Sequence, residues 1–445
     1  MKLIFESGRV VFELELVIVS KIIFLIQKLI LYFSYYLFKF FPSLRKVFFG
    51  KIEEKIDKNK TVFVVGVSEI ANVINFLSNV LPNSVSVCFY KNKFYIDNVY
   101  DIYPKFDNRQ ILYKGVYVFF ISPWILGYLV NVADIFFYNW VNSFIFNFYY
   151  LRRLNMNPLL FELNFLKKMN KKLIWYFCGD DIRSIKLTKE YFNKLNLDTF
   201  ANYYPEYFHT EEYDEQKKLF ANVISNNVDI VFNYKNDQIS YLTCKQYMAF
   251  YFYPISKFNL NQEKFSNLER IVILHAPSSF IFKGTFLVRS AIKKLQIEGY
   301  NFEYIEVFNR SNEEILELLK KAHIVLNQFY ALAPGTLGLE SLANYCVVLQ
   351  SADYREYISL YLEDAPHLID PKDLEINEDD YENIPWVVTK YYDVYFKLKF
   401  LLDNKQLLKK IAENGYNFTY KYFSDEFAKK YLKIILNKNG INFDL

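Results

Sequence analysis

The chain has 445 residues, room for two or three domains at ~150 residues each. With 52% apolar residues it can bury more than one core. A formal net charge of +4, its basic side mostly Lys, excludes the concentrated positive footprint of a nucleic-acid binder. The four cysteines (Cys88, Cys178, Cys244, Cys346) and four histidines (His209, His275, His323, His367) are scattered, with neither CxxC nor zinc-ligand spacing. They read as buried thiols in a reducing cytoplasm, with no metal site and no cofactor.

Leu14 to Pro42 is the most apolar stretch. It begins too deep for a signal peptide and lacks a small-residue cleavage site. A spanning helix needs ~20 uncharged apolar residues, and Lys21, Lys28 and Lys39 interrupt this one. On a helix, Lys21 and Lys28 share a face, with Tyr32, Tyr35 and Tyr36 nearby and Arg45 and Lys46 following. The pattern predicts an amphipathic helix lying at a membrane surface on the cytoplasmic side. Packing on the protein's own core and a true span are the alternatives.

A charged linker, 51–60, ends this membrane-proximal segment, residues 1–57. Then strands alternate with helix-length segments. TVFVVGVSEIANVI reads as strand, Gly turn and helix, and SVSVCFY (84–90) as a second strand. VYVFFIS (116–122) and DIFFYNW (134–140) read as buried strands, followed by a helix from about Pro158 to Met169 and the strand KKLIWYFCG. VDIVFNY (228–234) and FYFYP (250–254) complete the set. The polar stretch 256–268 is the expected linker between a first domain, 58–255, and a second, 269–445. The alternation restarts with ERIVILHAP, FEYIEVF, HIVLNQF and CVVLQS as strands. The chain ends in helices, the last preceded by Ser424 as N-cap. The prediction is an α/β protein of two tandem Rossmann-like, doubly wound domains, with a ligand outside the carboxyl ends of the strands.

Three features of the second domain sit at such strand ends. The first is His275, then Ser278 and Ser279, then Lys283-Gly284-Thr285 at a helix start. A helix N-terminus attracts phosphate, and a neighbouring Lys adds a point charge. The second is Asn327-Gln328. The third is APGTLGLESLA, where Gly335, Thr336 and Gly338 open a helix and Glu340 follows, a carboxylate suited to a ribose diol.

Taken together, HAPSS, FKGT, EEILELLKKAHIVLNQ and APGTLGLESLANYCVV resemble the donor half of a GT-B glycosyltransferase of the family-four group over Arg270–Ser351. The resemblance implies a nucleotide-sugar donor, no required metal and retention of anomeric configuration. It implies that Lys283 meets the donor diphosphate, Glu340 its ribose, and Gly335, Thr336 and Gly338 form the glycine-rich turn. His275 and Ser279 would complete the donor side. The first half resembles the family more loosely. There Gly66 would occupy the Gly turn, and GDDIR would bring Gly179, Asp180, Asp181 and Arg183 to an acceptor-side cleft. A local Asp–Arg pair in a turn is the plainer reading of that segment. A second Glu that many relatives carry eight positions before the ribose carboxylate is Leu332 here. No catalytic base is evident. The function implied is sugar transfer to a glycan or lipid-linked acceptor in surface polysaccharide synthesis. A nucleotide-sugar epimerase and a non-catalytic scaffold of a polysaccharide assembly complex are the alternatives.

Overall fold

A computed structural model describes residues 2–90, 94, 98–103 and 115–442, the side chains of 2–18 excepted. Its frame is two parallel sheets. The first, ordered β2-β1-β3-β4-β5-β6, is built from β1 (Phe63–Ser68), β2 (Ser84–Tyr90), β3 (Ile135–Asn139), β4 (Lys172–Tyr176), β5 (Ile230–Asn233) and β6 (Gln246–Met248). The second, ordered β11-β10-β9-β7-β8, uses β7 (Ile271–His275), β8 (Phe302–Glu306), β9 (Ile324–Leu326), β10 (Val347–Gln350) and β11 (Val387–Val388). These are the two tandem Rossmann-like domains, preceded by an apolar helical segment.

Parallel strands covered on both faces read as unbroken apolar runs, yet neighbours along each strand part company. Phe63, Val65, Phe137, Ile174 and Tyr176 feed one core. Val64, Val67, Phe136, Tyr138, Leu173 and Trp175 feed another, on the opposite face. The first core runs on without a break into the second domain. The second is closed by the N-terminal helices, α1 (Lys2–Phe40) and α2 (Pro42–Lys55).

Two apolar runs differ from their sequence reading. Residues 116–122 are not a strand: Tyr117–Ile121 is a π-helical turn entering α4 (Ser122–Leu129), with Pro123 in its first turn. An uninterrupted apolar run fits a buried helix as well as a buried strand. FYFYP also leaves the sheet, the last strand lying just upstream at β6. The amide of Tyr253 instead donates to the carbonyl of Phe423 at 2.7 Å. Other helices of the first domain include α3 (Val73–Val80), α5 (Asn157–Lys168), α6 (Ile185–Lys194) and α7 (Glu211–Asn227).

One face of α1 packs on the protein. Leu31 and Phe38 are fully buried, as are the polar Gln27 and Ser34. The crossing with α4 is close because of Gly127, where an added Cβ would stand 1.9 Å from Ser34 Oγ. Gln27 Oε1 accepts a hydrogen bond from Tyr150 at 2.7 Å. The rings of Phe24, Tyr32 and Tyr35 meet Phe161 and Phe165 of α5 edge to face.

The second domain carries α8 (Thr285–Ile297), α9 (Asn312–Leu319), α10 (Gly335–Ala343), α11 (Tyr354–Ser359), α12 (Val394–Asp403) and α13 (Leu408–Tyr422). The last helix, α14 (Asp425–Lys438), has Ser424 as N-cap, its side chain accepting from the amide of Phe427. α14 crosses back to the first domain, where it meets α3. Asp364 joins the two ends, accepting from Met248 N and from the Tyr431 hydroxyl, each at 3.0 Å.

Candidate active site between the domains

In each sheet the winding reverses beside one strand. β2 and β3 flank β1, and β8 and β9 flank β7. Ligands of open α/β sheets bind at such switch points, outside the carboxyl ends of the strands. Here the two switch points face each other. Ala71 and Phe94 of the first domain line one cavity of about 280 Å³ with Ala276, Pro277 and Ser278, which follow β7. Lys283, Arg310, Asn312, Thr336 and Glu340 complete its polar wall.

The local sequence explains each placement. Gly284 adopts a left-handed φ of +66°, which ends the turn after β7 and opens α8. Lys283 is thereby held beside the Gln328 that closes β9, its Nζ donating to Oε1 at 2.6 Å. Burial pushes the Lys283 ammonium down to about 8. Gly335, φ +66°, opens α10 and turns Thr336 toward the cavity. Gly338 is needed for a close approach, since a Cβ there would lie 2.7 Å from Asn327 Nδ2 and from Gln350 Oε1. Glu340 follows on the buried side of α10, accepting from Asn312 Nδ2 at 2.8 Å. Burial raises its carboxyl to about 7. Asn312 opens α9 behind a reciprocal cap between Ser311 and Glu314, and its amide donates to the Phe94 carbonyl at 3.2 Å.

Lys283, Thr336 and Glu340 therefore converge on one space. His275 and Ser279 stand behind it. The fully buried His275 ring meets the Leu326 carbonyl through Nδ1 at 2.7 Å and Thr285 Oγ1 through Nε2 at 2.9 Å. Since a carbonyl only accepts, Nδ1 carries the proton and Nε2 accepts. Burial holds the ring neutral, its pKa lowered to about 4. This histidine ties β7, β9 and α8 together. Ser279 gives only its carbonyl to the Lys283 amide, while Ser278 lines the cavity.

The acceptor-side residues lie elsewhere. Gly66 is inside β1 rather than in a turn, and its bare Cα is required there, an added Cβ falling 2.3 Å from the Val87 carbonyl oxygen. Asp181 is buried and accepts the Gly179 amide at 2.7 Å. Burial raises it to about 6. Arg183 pairs with Asp180, and its Nη2 reaches Asp237 Oδ2 at 2.5 Å. The other oxygen of Asp237 accepts the Leu332 amide of the second domain at 2.9 Å. GDDIR is thus the first-domain anchor of a buried ion network that holds the loop entering α10. None of these five residues lines the cavity.

Arg310 and Asn312 were not singled out from the sequence. Arg310 and Asn312 follow the carboxyl end of β8, so the strand-end argument applied to FNRSN would have reached them. Glu69 does not line the cavity but stands at the carboxyl end of β1 beside it. It follows β1, accepts from the Tyr100 hydroxyl at 2.8 Å and from the first-turn amides of Ile74 and Asn75, and is raised to about 7 by burial.

No protein-family model and no curated protein matches the sequence. Solved structures do match the fold. A crystal structure of HepE from Anabaena in complex with UDP-glucose aligns over 86% of this chain and 100% of its own, with TM-score 0.50 and 11% identity. The sucrose-phosphate synthase of Thermosynechococcus elongatus aligns over 85% of this chain and 99% of its own, with TM-score 0.51 and 10% identity. At such identities the likeness speaks for architecture, which is that of the GT-B fold.

Proposed function

We propose that this chain is a glycosyltransferase that moves a sugar from a nucleotide-sugar donor to a glycan or lipid-linked acceptor, on the cytoplasmic side, in surface polysaccharide synthesis. The observation that carries the reading is the convergence of Lys283, Arg310, Thr336 and Glu340 on the cavity where the two switch points meet. Two cations and the first-turn amides of α10 suit the oxygens of a diphosphate. Glu340, already fixed by Asn312, suits the ribose hydroxyls. The same cations would stabilise negative charge on the departing nucleotide, electrostatic work that needs no metal. Walls from both domains would exclude water from the donor. The likeness to HepE, solved with UDP-glucose, supports this class of donor. Retention of configuration comes with the resemblance of the second domain to family-four enzymes.

The test is calorimetric titration with nucleoside diphosphates and a panel of nucleotide sugars, followed by product analysis with glycan and lipid-linked acceptors. Binding weakened by Lys283→Met and by Glu340→Gln supports the site. Transfer that persists in a chelator, with the anomeric configuration of the product read by NMR, supports the chemistry. Donor converted without acceptor points to an epimerase, and silence across the panel points to a scaffold.

A further inference from the structure

While one face of α1 packs on α4 and α5, the opposite face has no partner among the described residues. Ile22, Leu25, Leu29, Phe33, Tyr36 and Phe40 recur at helical spacing, and each is exposed, Leu29 and Phe33 at 63% and Phe40 at 67%. The stripe continues over the turn into α2, where Phe41, Val47 and Phe48 are also exposed. Trp124 of α4 stands beside it, its ring within about 6.1 Å of both Phe33 and Phe48. An apolar surface of this extent on a folded protein marks an interaction site.

Charge identifies the partner. Residues 19–55, 115–133 and 148–171 lie on this side of the first domain, and they hold twelve Lys and Arg against three carboxylates, Glu53, Glu54 and Glu162. Glu53 is already paired with Lys58 and the Tyr128 hydroxyl. Glu162 is fully buried and bonded to Tyr138, Ser143 and the amides of Phe144 and Ile145, so it offers nothing to the surface. Lys21, Lys46, Lys51, Arg152, Arg153 and Lys167 are exposed. The chain as a whole is only +4, so the cations are concentrated here. Apolar stripe, flanking cations and bordering aromatic rings fit the interface of an anionic bilayer.

Val19–Phe40 is long and apolar enough to cross a membrane. Its buried face argues for a different posture. Gln27 and Ser34 are locked against the protein, and the close crossing at Gly127 leaves no room for lipid on that side. We infer that α1 lies flat in the interface of an anionic membrane, its exposed stripe among the acyl chains and its packed face holding the first domain to the surface. The inference does not depend on the transferase reading, and its test involves no sugar chemistry.

The full-length chain is to be floated with vesicles of equal parts phosphatidylcholine and phosphatidylglycerol, and with phosphatidylcholine alone. The expected result is flotation with the anionic vesicles, weakening as salt rises, and reduced at least ~tenfold by Leu29→Glu with Phe33→Glu. Both side chains are exposed, so the doubly substituted protein should melt at the temperature of the unsubstituted one, which separates lost binding from lost folding. Failure to float with either vesicle overturns the inference. So does flotation unaffected by the double substitution, or a dimer in solution that the same substitutions dissolve, which would make a second copy the partner. Membrane association that resists extraction by alkaline carbonate would mean a span, and would overturn the flat posture.

Discussion

Lys283 and Glu340 reach the same cavity from different loops, and burial shifts each toward its neutral form. An ammonium held at about 8 keeps its charge through neutrality and loses it above. Affinity for a nucleoside diphosphate should therefore fall as pH rises through about 8, and the calorimetric pH profile should flatten in Lys283→Met. That substitution should itself weaken binding ~10- to 100-fold, the loss expected of one charge-assisted hydrogen bond. For Glu340 the folded carboxyl is raised above its unfolded value. Its stabilising contribution is full below the ordinary carboxyl range and is lost as pH rises toward 7. Glu340→Gln should accordingly raise the melting temperature at pH 8 and leave it nearly unchanged at pH 4. At this scale the sequence was informative where chemistry and local turn geometry coincide, as in Lys283-Gly284 and Gly335-Thr336. It was silent where a residue's role depends on a distant partner. His275 looked like a pocket residue because nothing local reveals Leu326 and Thr285 closing around its ring.

Among elements, the loops that follow strands decide the site, and one of them is held from outside its own domain. Asp237 follows β5 and bridges the Arg183 guanidinium to the Leu332 amide. Arg183 also lies over the Phe200 ring, 4.7 Å from its centre. Removing one partner of a buried pair leaves an uncompensated charge, so Arg183→Met should cost ~3–5 kcal/mol, read as a lower midpoint in urea denaturation. Because the network also steadies the loop into α10, the same variant should bind nucleoside diphosphate more weakly although it touches no cavity wall. Strands and helices with strong period were legible in the sequence: β7, α8, β8, α9, β9 and β10 all fall where the alternation put them. The helix spanning Tyr117–Leu129 was not, since period alone does not separate a buried helix from a buried strand. The ion pairs of GDDIR were half legible. The Asp180–Arg183 pair is three residues apart, whereas Asp237 lies 54 positions from Arg183.

For the molecule as a whole, the domains share more than a cleft. The rings of Phe200 and Tyr204 reach Phe282 at 5.3 and 4.9 Å, and Tyr203 meets Tyr330 at 5.5 Å. α14 adds Phe427, Tyr431, Leu432, Ile435 and Leu436 to a core common to both domains. Scanning calorimetry should therefore record one cooperative transition rather than two. Nucleoside diphosphate at a hundred times its Kd should shift that transition upward by ~2.7 kcal/mol of added stability. The two-domain plan was readable from alternating strands and helices; the return of α14 was not, because helical period says nothing about which surface a helix meets.

That return has a consequence for synthesis. Chains of this size generally fold domain by domain as they leave the ribosome, the N-terminal part first. Here the first sheet emerges long before the helix that covers the face made by Phe232, Tyr247 and Phe250, rings that pack with Tyr431 or lie in its core. Until the closing residues are translated, that face is bare and adhesive. That face must be shielded until α14 has been translated, and the first domain cut out alone would be a poor substitute for the same half of the whole protein.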